Sequence, residues 1–186
     1  MKAMSATEPQ LDLDDFLAAM SMWPSGVTIT TTIDDNGLRW GFTASAFSSL
    51  SLEPPLILVC LNAAAKCHET FVRTKSFAVN LLSTRHEQLA RRFATRGSDK
   101  FQGANFKPGH TGSPILSDAV ASLECVMHAT MPAGDHTILI GKVVHANVNA
   151  TAGDSAPAIV HFARRFGVVG PLEQPDISAI FDEWTW

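Results

Sequence analysis

The sequence predicts a mainly β domain, a barrel or sandwich with a few flanking helices. Two observations point there. At least six short runs rich in β-branched and apolar residues are separated by turn signals, and few stretches carry helical spacing. The composition adds a third: 186 residues, 46% apolar and 17% charged, match one globular domain able to bury a core. Strand pattern alone does not separate a barrel from a sandwich.

Taken in order, residues 1–10 are polar and expected to be disordered. Apolar residues at Leu13, Phe16, Leu17 and Met20 follow helical spacing, with Asp12, Asp14 and Asp15 at the end that favours negative charge. That is a short amphipathic helix over 11–22, stopped by Trp23-Pro24-Ser25-Gly26. Val27–Ile33 and Leu38–Thr43 are strands joined by the turn Asp34-Asp35-Asn36-Gly37. A loop over 44–55, with Pro54-Pro55 at its end, leads to Leu56–Leu61, whose apolar residues on both faces predict a buried strand.

A small-residue loop over 62–66, a helix over 68–74 and a strand over 77–82 come next. Thr84 and Glu87 have capping-box spacing for a helix running to about Thr95. Between Gly97 and Pro114, four glycines and two prolines make a long loop of the kind that covers sites. His110 in that loop reads as a surface residue. Strands over 119–130 and 136–147 flank a turn over 131–135, and a final strand over 158–162 is closed by Arg164-Arg165-Phe166-Gly167. The tail from Asp176 carries Ile177, Ile180, Phe181, Trp184 and Trp186, which suits docking on the domain or on a partner chain. The chain thus divides into an N-terminal segment 1–10, a domain 11–170 and a docking tail 171–186.

Several classes are disfavoured. A net charge of −4 without a dense Lys/Arg stripe argues against nucleic acid or anionic membrane as partner. No apolar run approaches the roughly 18 residues of a membrane span, and the N-terminus lacks the apolar core of a secretory signal. Three cysteines, Cys60, Cys67 and Cys125, are an odd, sparse set expected as reduced thiols in a cytoplasmic protein. No metal-ligand spacing accompanies Cys67-His68, so no metal is expected. There is no GxGxxG after a strand, no P-loop, no GxSxG elbow and no CxxC pair.

The stretch Gly41–Asn62 carries the chemistry. Thr43, Ser45, Ser48 and Ser49 offer four hydroxyls within seven residues, and Ala44 and Ala46 leave the backbone approachable. Hydroxyls and free N–H groups can satisfy phosphate oxygens or the polar edge of a ring. By composition alone the cluster also reads as a plain Ser-rich turn.

This stretch resembles the signature of the short-chain flavin reductases, the reductase components of two-component flavin monooxygenases, in particular that of 4-hydroxyphenylacetate 3-monooxygenase. Three further blocks match in order: Gly26–Thr31, Phe77–Ser83 and Gly134–Ile138. The resemblance spans residues 23–167 and implies a Greek-key split β-barrel that binds FMN, found as a homodimer with the flavin near the subunit interface. It also implies FMN or FAD as flavin, NADH or NADPH as co-substrate, and a separate oxygenase that receives the reduced flavin by diffusion. Thr43, Ala44, Ser45, Ala46, Ser48 and Ser49 would then hold the flavin, with Cys60, Leu61, Asn62 and Lys66 near its ribityl-phosphate. The matching histidine, His136, falls on the nicotinamide side. His161 and Ala163 depart from the Tyr and Arg more usual in the family, which puts a substrate contact there in doubt. A tight FMN-binding electron carrier or oxidase, or a non-catalytic dimeric interaction protein, would share the fold.

Overall fold

The computed structural model describes residues 11–97, 99–149 and 157–169, and the segments 1–10 and 171–186 lie outside them. One antiparallel seven-stranded sheet dominates. In chain order its strands are β2 (Thr28–Ile33), β3 (Arg39–Ala44), β4 (Phe47–Ser51), β5 (Leu56–Asn62), β6 (Ser76–Leu81), β9 (Ala121–Ala133) and β10 (His136–Val148). In space they run β3-β2-β6-β9-β10-β5-β4. The two edge strands, β3 and β4, are therefore neighbours in sequence, separated only by Ser45 and Ala46. Three peptide steps span at most about 11 Å, so the sheet must curl until its edges meet at that end. This is the split barrel, and its seam opens where β3 hands over to β4.

The interior is apolar. Phe42, Ile57, Val59, Leu61, Phe71, Phe77, Val79, Cys125 and Leu139 form one buried cluster. Helix α2 (His68–Arg73) supplies Phe71, whose ring meets Phe42 edge-on at 4.9 Å. A second cluster lies outside the sheet: Ile29, Ala90, Phe93, Phe101, Leu116 and Ile159 are buried under helix α3 (Glu87–Ala94) and the chain that follows it. Gly41 permits this docking, since a Cβ there would lie 2.7 Å from the Phe93 ring and 3.0 Å from the Thr30 carbonyl oxygen.

Smaller elements complete the fold. Helix α1 (Leu13–Ser21) is capped by Asp12, whose carboxylate accepts the Asp14 N–H at 2.8 Å, and it buries none of its residues. Strands β1 (Ser25–Gly26), β11 (Ala158–Phe162) and β12 (Arg165–Val169) form a three-stranded sheet. Strands β7 (Phe106–Pro108) and β8 (Pro114–Leu116) make a hairpin inside the expected long loop, held by buried Asn80, whose amide oxygen accepts the Leu116 N–H at 2.8 Å.

Five local expectations are corrected. The loop over 44–55 contains β4, because Phe47–Ser51 finds ladder partners on β5 that sequence spacing does not display. β5 itself buries Ile57, Val59 and Leu61 on one face while Leu56, Leu58 and Cys60 are only half-buried, since this strand lies next to the sheet edge. The turn over 131–135 shrinks to Gly134-Asp135, with Gly134 at φ 61°, so β9 and β10 run 13 residues each. Helix α3 is entered through a 3₁₀ turn at Thr84–His86, with the Ser83 N–H donating to the His86 ring at 3.1 Å, not through a Thr84–Glu87 box. Arg164 does not end the chain's strands either: Ala163 and Arg164 form a positive-φ turn leading into β12.

Candidate functional site

A cavity of about 600 Å³ lies at the barrel seam. One wall is β3 and its exit, from Leu38 through Thr43 and Ala44 to Ser45 and Ala46. The facing wall is the end of β5, Cys60, Leu61 and Asn62, followed by Ala65, Lys66 and Cys67. His136 closes it from the first residue of β10, directly opposite Asn62 in the strand ladder. The sheet's curl brings these groups together: the Cys60 N–H donates to the Ala46 carbonyl at 3.0 Å, tying the seam loop to β5.

Each side chain has an identifiable anchor. The Thr43 hydroxyl donates to the Ala90 carbonyl on α3 at 2.6 Å, which fixes the outer side of β3. Ser45 and Ala46 are exposed at the mouth, whereas Ala44 and Leu61 are buried in the wall. The Asn62 side-chain oxygen accepts the Ala64 N–H at 2.8 Å and shapes the loop that carries Lys66. His136 Nδ1 lies 2.8 Å from the Asp135 carboxylate. That hydrogen bond, with the nearby ring charge, holds the Asp135 carboxyl below the usual carboxylate range. Beside it, His68 Nε2 bonds the Thr137 hydroxyl at 2.8 Å and pins α2 to β10. Burial raises the Cys60 thiol, which keeps it protonated and polarisable at neutral pH.

Ser48 and Ser49 are not among the lining residues. Both are exposed on β4, opposite Leu58 and Ile57, and the Ser48 hydroxyl donates to the Ser49 carbonyl at 2.9 Å. His161 is also elsewhere, on β11 with its ring 6.4 Å from Phe166.

Sequence reasoning passed over the third wall. Residues 93–97 and 99–101 line the cavity and bring Arg96, Asp99, Lys100 and Phe101, while Arg39 and Trp40 join from β3. Lys100 Nζ donates to the Phe93 carbonyl at 2.6 Å and the Gly41 carbonyl at 3.1 Å, so it caps α3 and clasps it to β3. Burial lowers the Lys100 pKa, with Cys67 opposing. The Arg39 guanidinium stacks over Phe101 at 4.6 Å. The length of the Gly97–Pro114 loop was the available signal, but length does not say which residues of a loop reach a site.

The cavity therefore combines an apolar, half-buried floor with hydroxyls and small residues at its mouth and cations from three elements, Arg39, Lys66, Arg96 and Lys100, on its rim. Such a lining suits a flat, largely apolar ring system attached to an anionic tail. Among the described residues no helix is long and apolar enough to cross a membrane.

Comparison with known proteins agrees with that chemistry. A family model described as flavin reductase like domain matches residues 20–170. The chain is 43% identical over 151 residues to the actinorhodin polyketide dimerase of Streptomyces coelicolor, covering 81% of this chain and 83% of the relative. It is 42% identical over 171 residues to the flavin reductase (NADH) of Kitasatospora aureofaciens, covering 91% and 87%. Among solved structures, the NADH:FAD oxidoreductase of Streptomyces globisporus C-1027, in complex with NAD and FAD fragments, superposes with a TM-score of 0.79 at 31% identity, over 90% of this chain and all of that one.

Proposed function

The chain belongs to the flavin reductase-like domain family, and on that premise we propose that it is an NAD(P)H:flavin oxidoreductase working at the seam cavity. The carrying observation is the meeting, in one cavity, of the Thr43–Ala46 stretch, the end of β5 and His136. When bound, the flavin supplies the redox chemistry, accepting hydride from a reduced nicotinamide.

The residues present fit that group. Ser45 and the small Ala44 and Ala46 would hold its polar edge through hydroxyl and backbone, with Cys60, Leu61 and Asn62 on the facing wall beside its ribityl-phosphate. Lys66, with Arg96 and Arg39 on the rim, meets phosphate charge. His136, kept in orientation by the Asp135 carboxylate, hydrogen-bonds the dinucleotide and helps exclude water from the hydride path. Nothing in this lining demands a strong general acid or base, as expected where distance and orientation are the protein's contribution.

We extend the reading in four ways. Reduced flavin is released to a separate oxygenase, as the resemblance in the four ordered sequence blocks implies. The flavin is FMN or FAD, with NADH the preferred donor. The working unit is a homodimer in which Ser48 and Ser49, exposed on β4, approach the flavin of the assembled site. The protein works in the cytoplasm, with domain limits at 11–170.

The test is NADH oxidation by purified protein with and without added FMN or FAD. Turnover that saturates with added flavin is expected, and His136→Ala should raise the KM for NADH more than it lowers flavin affinity. No turnover with either flavin and either dinucleotide would defeat the reading.

A further inference from the structure

A second cavity, of about 490 Å³, shares no lining residue with the seam cavity. Its walls include His110 and Lys107 from the β7–β8 hairpin, Ser122 on β9 and His145 and Asn147 on β10. Glu124 is fully buried beside it. The carboxylate is the organising group: its Oε2 accepts the Thr111 N–H at 2.8 Å and the Thr111 hydroxyl at 3.1 Å, while Oε1 lies 3.2 Å from His110 Nδ1. Gly109 lets the hairpin tip lie on this group, since a Cβ there would run into the Glu124 carboxylate.

How His145 arrives is the informative part. On β9, Leu123, Cys125 and Met127 face the interior, so Glu124 faces away from it. On β10, Val143 pairs with Cys125 and also packs inward. Strict alternation would then turn Val144 outward and His145 inward. Instead the ladder shifts between Val143 and His145, leaving Val144 unpaired and setting His145 directly opposite Glu124. This β-bulge re-aims one side chain by inserting one residue, a device favoured beside functional sites. His145 consequently stacks on His110, ring centroids 3.8 Å apart, at the mouth of the cavity.

We propose that His110, Glu124 and His145 form a binding site for one divalent cation of the zinc class, with a remaining coordination position open to the adjoining cavity. One ligand atom from each residue lies within 4.8 Å of the others. Zinc–nitrogen and zinc–oxygen bonds of about 2.0–2.1 Å put tetrahedral ligand atoms roughly 3.3–3.4 Å apart. The His110–Glu124 separation of 3.2 Å already has that span, and rotation of the largely exposed His110 ring brings the histidine nitrogens into range. On binding, His110 Nδ1 and Glu124 Oε1 would both ligate the cation in place of the contact between them, with the neutral ring in the tautomer that carries its single proton on Nε2. Two imidazoles and one carboxylate are a borderline donor set, suited to zinc and its neighbours and poorly to calcium or magnesium. Thr111 supplies the outer hydrogen bonds that orient the carboxylate. Occupancy would pin the hairpin tip to two strands of the main sheet.

The full chain, freed of metal by chelator, is titrated with zinc chloride by calorimetry and melted with and without zinc. We expect one site per chain, weakened about tenfold or more in both His110→Ala and His145→Ala, and unchanged in His128→Ala, which removes an exposed histidine of β9. At zinc about a hundredfold above the dissociation constant, the native melting temperature should rise by about 5–10 °C, and the rise should vanish in both ligand variants. Melts in chelator establish that each variant is folded. Absence of saturable zinc uptake by the native chain, uptake that survives both ligand substitutions, or equal loss in His128→Ala would each overturn the proposal.

Discussion

Replacing Gly41 by alanine tests how the seam cavity is built. The added methyl would meet the Phe93 ring at 2.7 Å and the Thr30 carbonyl at 3.0 Å. Neither neighbour yields easily. Thr30 is in the sheet, and Phe93 is held by Phe101 and Phe106, with ring centroids at 5.0 and 5.6 Å. Overpacking of this kind costs about 1–3 kcal/mol, and the upper half applies where both neighbours are fixed. Against this, exchanging glycine for alanine in a strand returns about 0.5–1 kcal/mol. The net loss is about 1–2.5 kcal/mol, or a fall of roughly 2–10 °C in melting temperature. Because α3 must shift outward, the 93–101 wall moves with it and flavin affinity should fall as well. Gly26→Ala is the control, since its Cβ meets nothing within 4 Å. Thermal melts and a flavin titration read both effects. A Gly41→Ala protein with native stability and native flavin affinity would refute the claim that Gly41 sets the docking of α3 and the shape of the cavity.

Three further outcomes follow from the same geometry. Ser45→Phe should abolish flavin binding by the isolated cavity, whereas Ser48→Phe should do so only if β4 of a second copy completes the site; fluorescence titration against oligomeric state separates the two. Saturating flavin should slow alkylation of Cys60, which lines the cavity, and leave Cys125 untouched, since burial and then the Glu124 charge push its thiol up to about 12; peptide mass mapping that shows equal labelling with and without flavin would remove Cys60 from the site. Asp34 accepts hydrogen bonds from the Trp40 indole and from the Leu38 and Asn36 N–H groups, which hold its carboxyl below its ordinary 3.8. A depressed carboxyl contributes stability above that value and loses it as the pH falls through the folded pKa. Asp34→Ala should therefore flatten the acid limb of melting temperature against pH below about 4, and an unchanged limb would count against it.

Much of this protein was legible locally. Val27–Ile33 reads as a strand because its β-branched residues suit a pleated ladder, and Asp34–Gly37 reads as a turn because Gly37 tolerates φ 81°. The family and the seam residues Thr43–Ala46 were also legible, since chemistry and order along the chain are properties of sequence. What escaped depended on which strand lies beside which. β4 is a strand only because β5 offers it a ladder, and Ser48 and Ser49 leave the cavity for the same reason. Lys100 reaches Gly41 across 59 residues, a contact made by the docking of α3 and invisible to any window of spacing.

His110, Glu124 and His145 mark the boundary between the two kinds of information. The sequence by itself determines their identities, the loop that holds His110 and the strands that hold the other two. Period-two alternation would have sent His145 into the core. Only the tertiary structure, through one residue left unpaired at Val144, turns it onto the face of Glu124. Side-chain direction is inherited residue by residue along a strand, but register is set by the partner, and a single slipped pairing reverses everything beyond it.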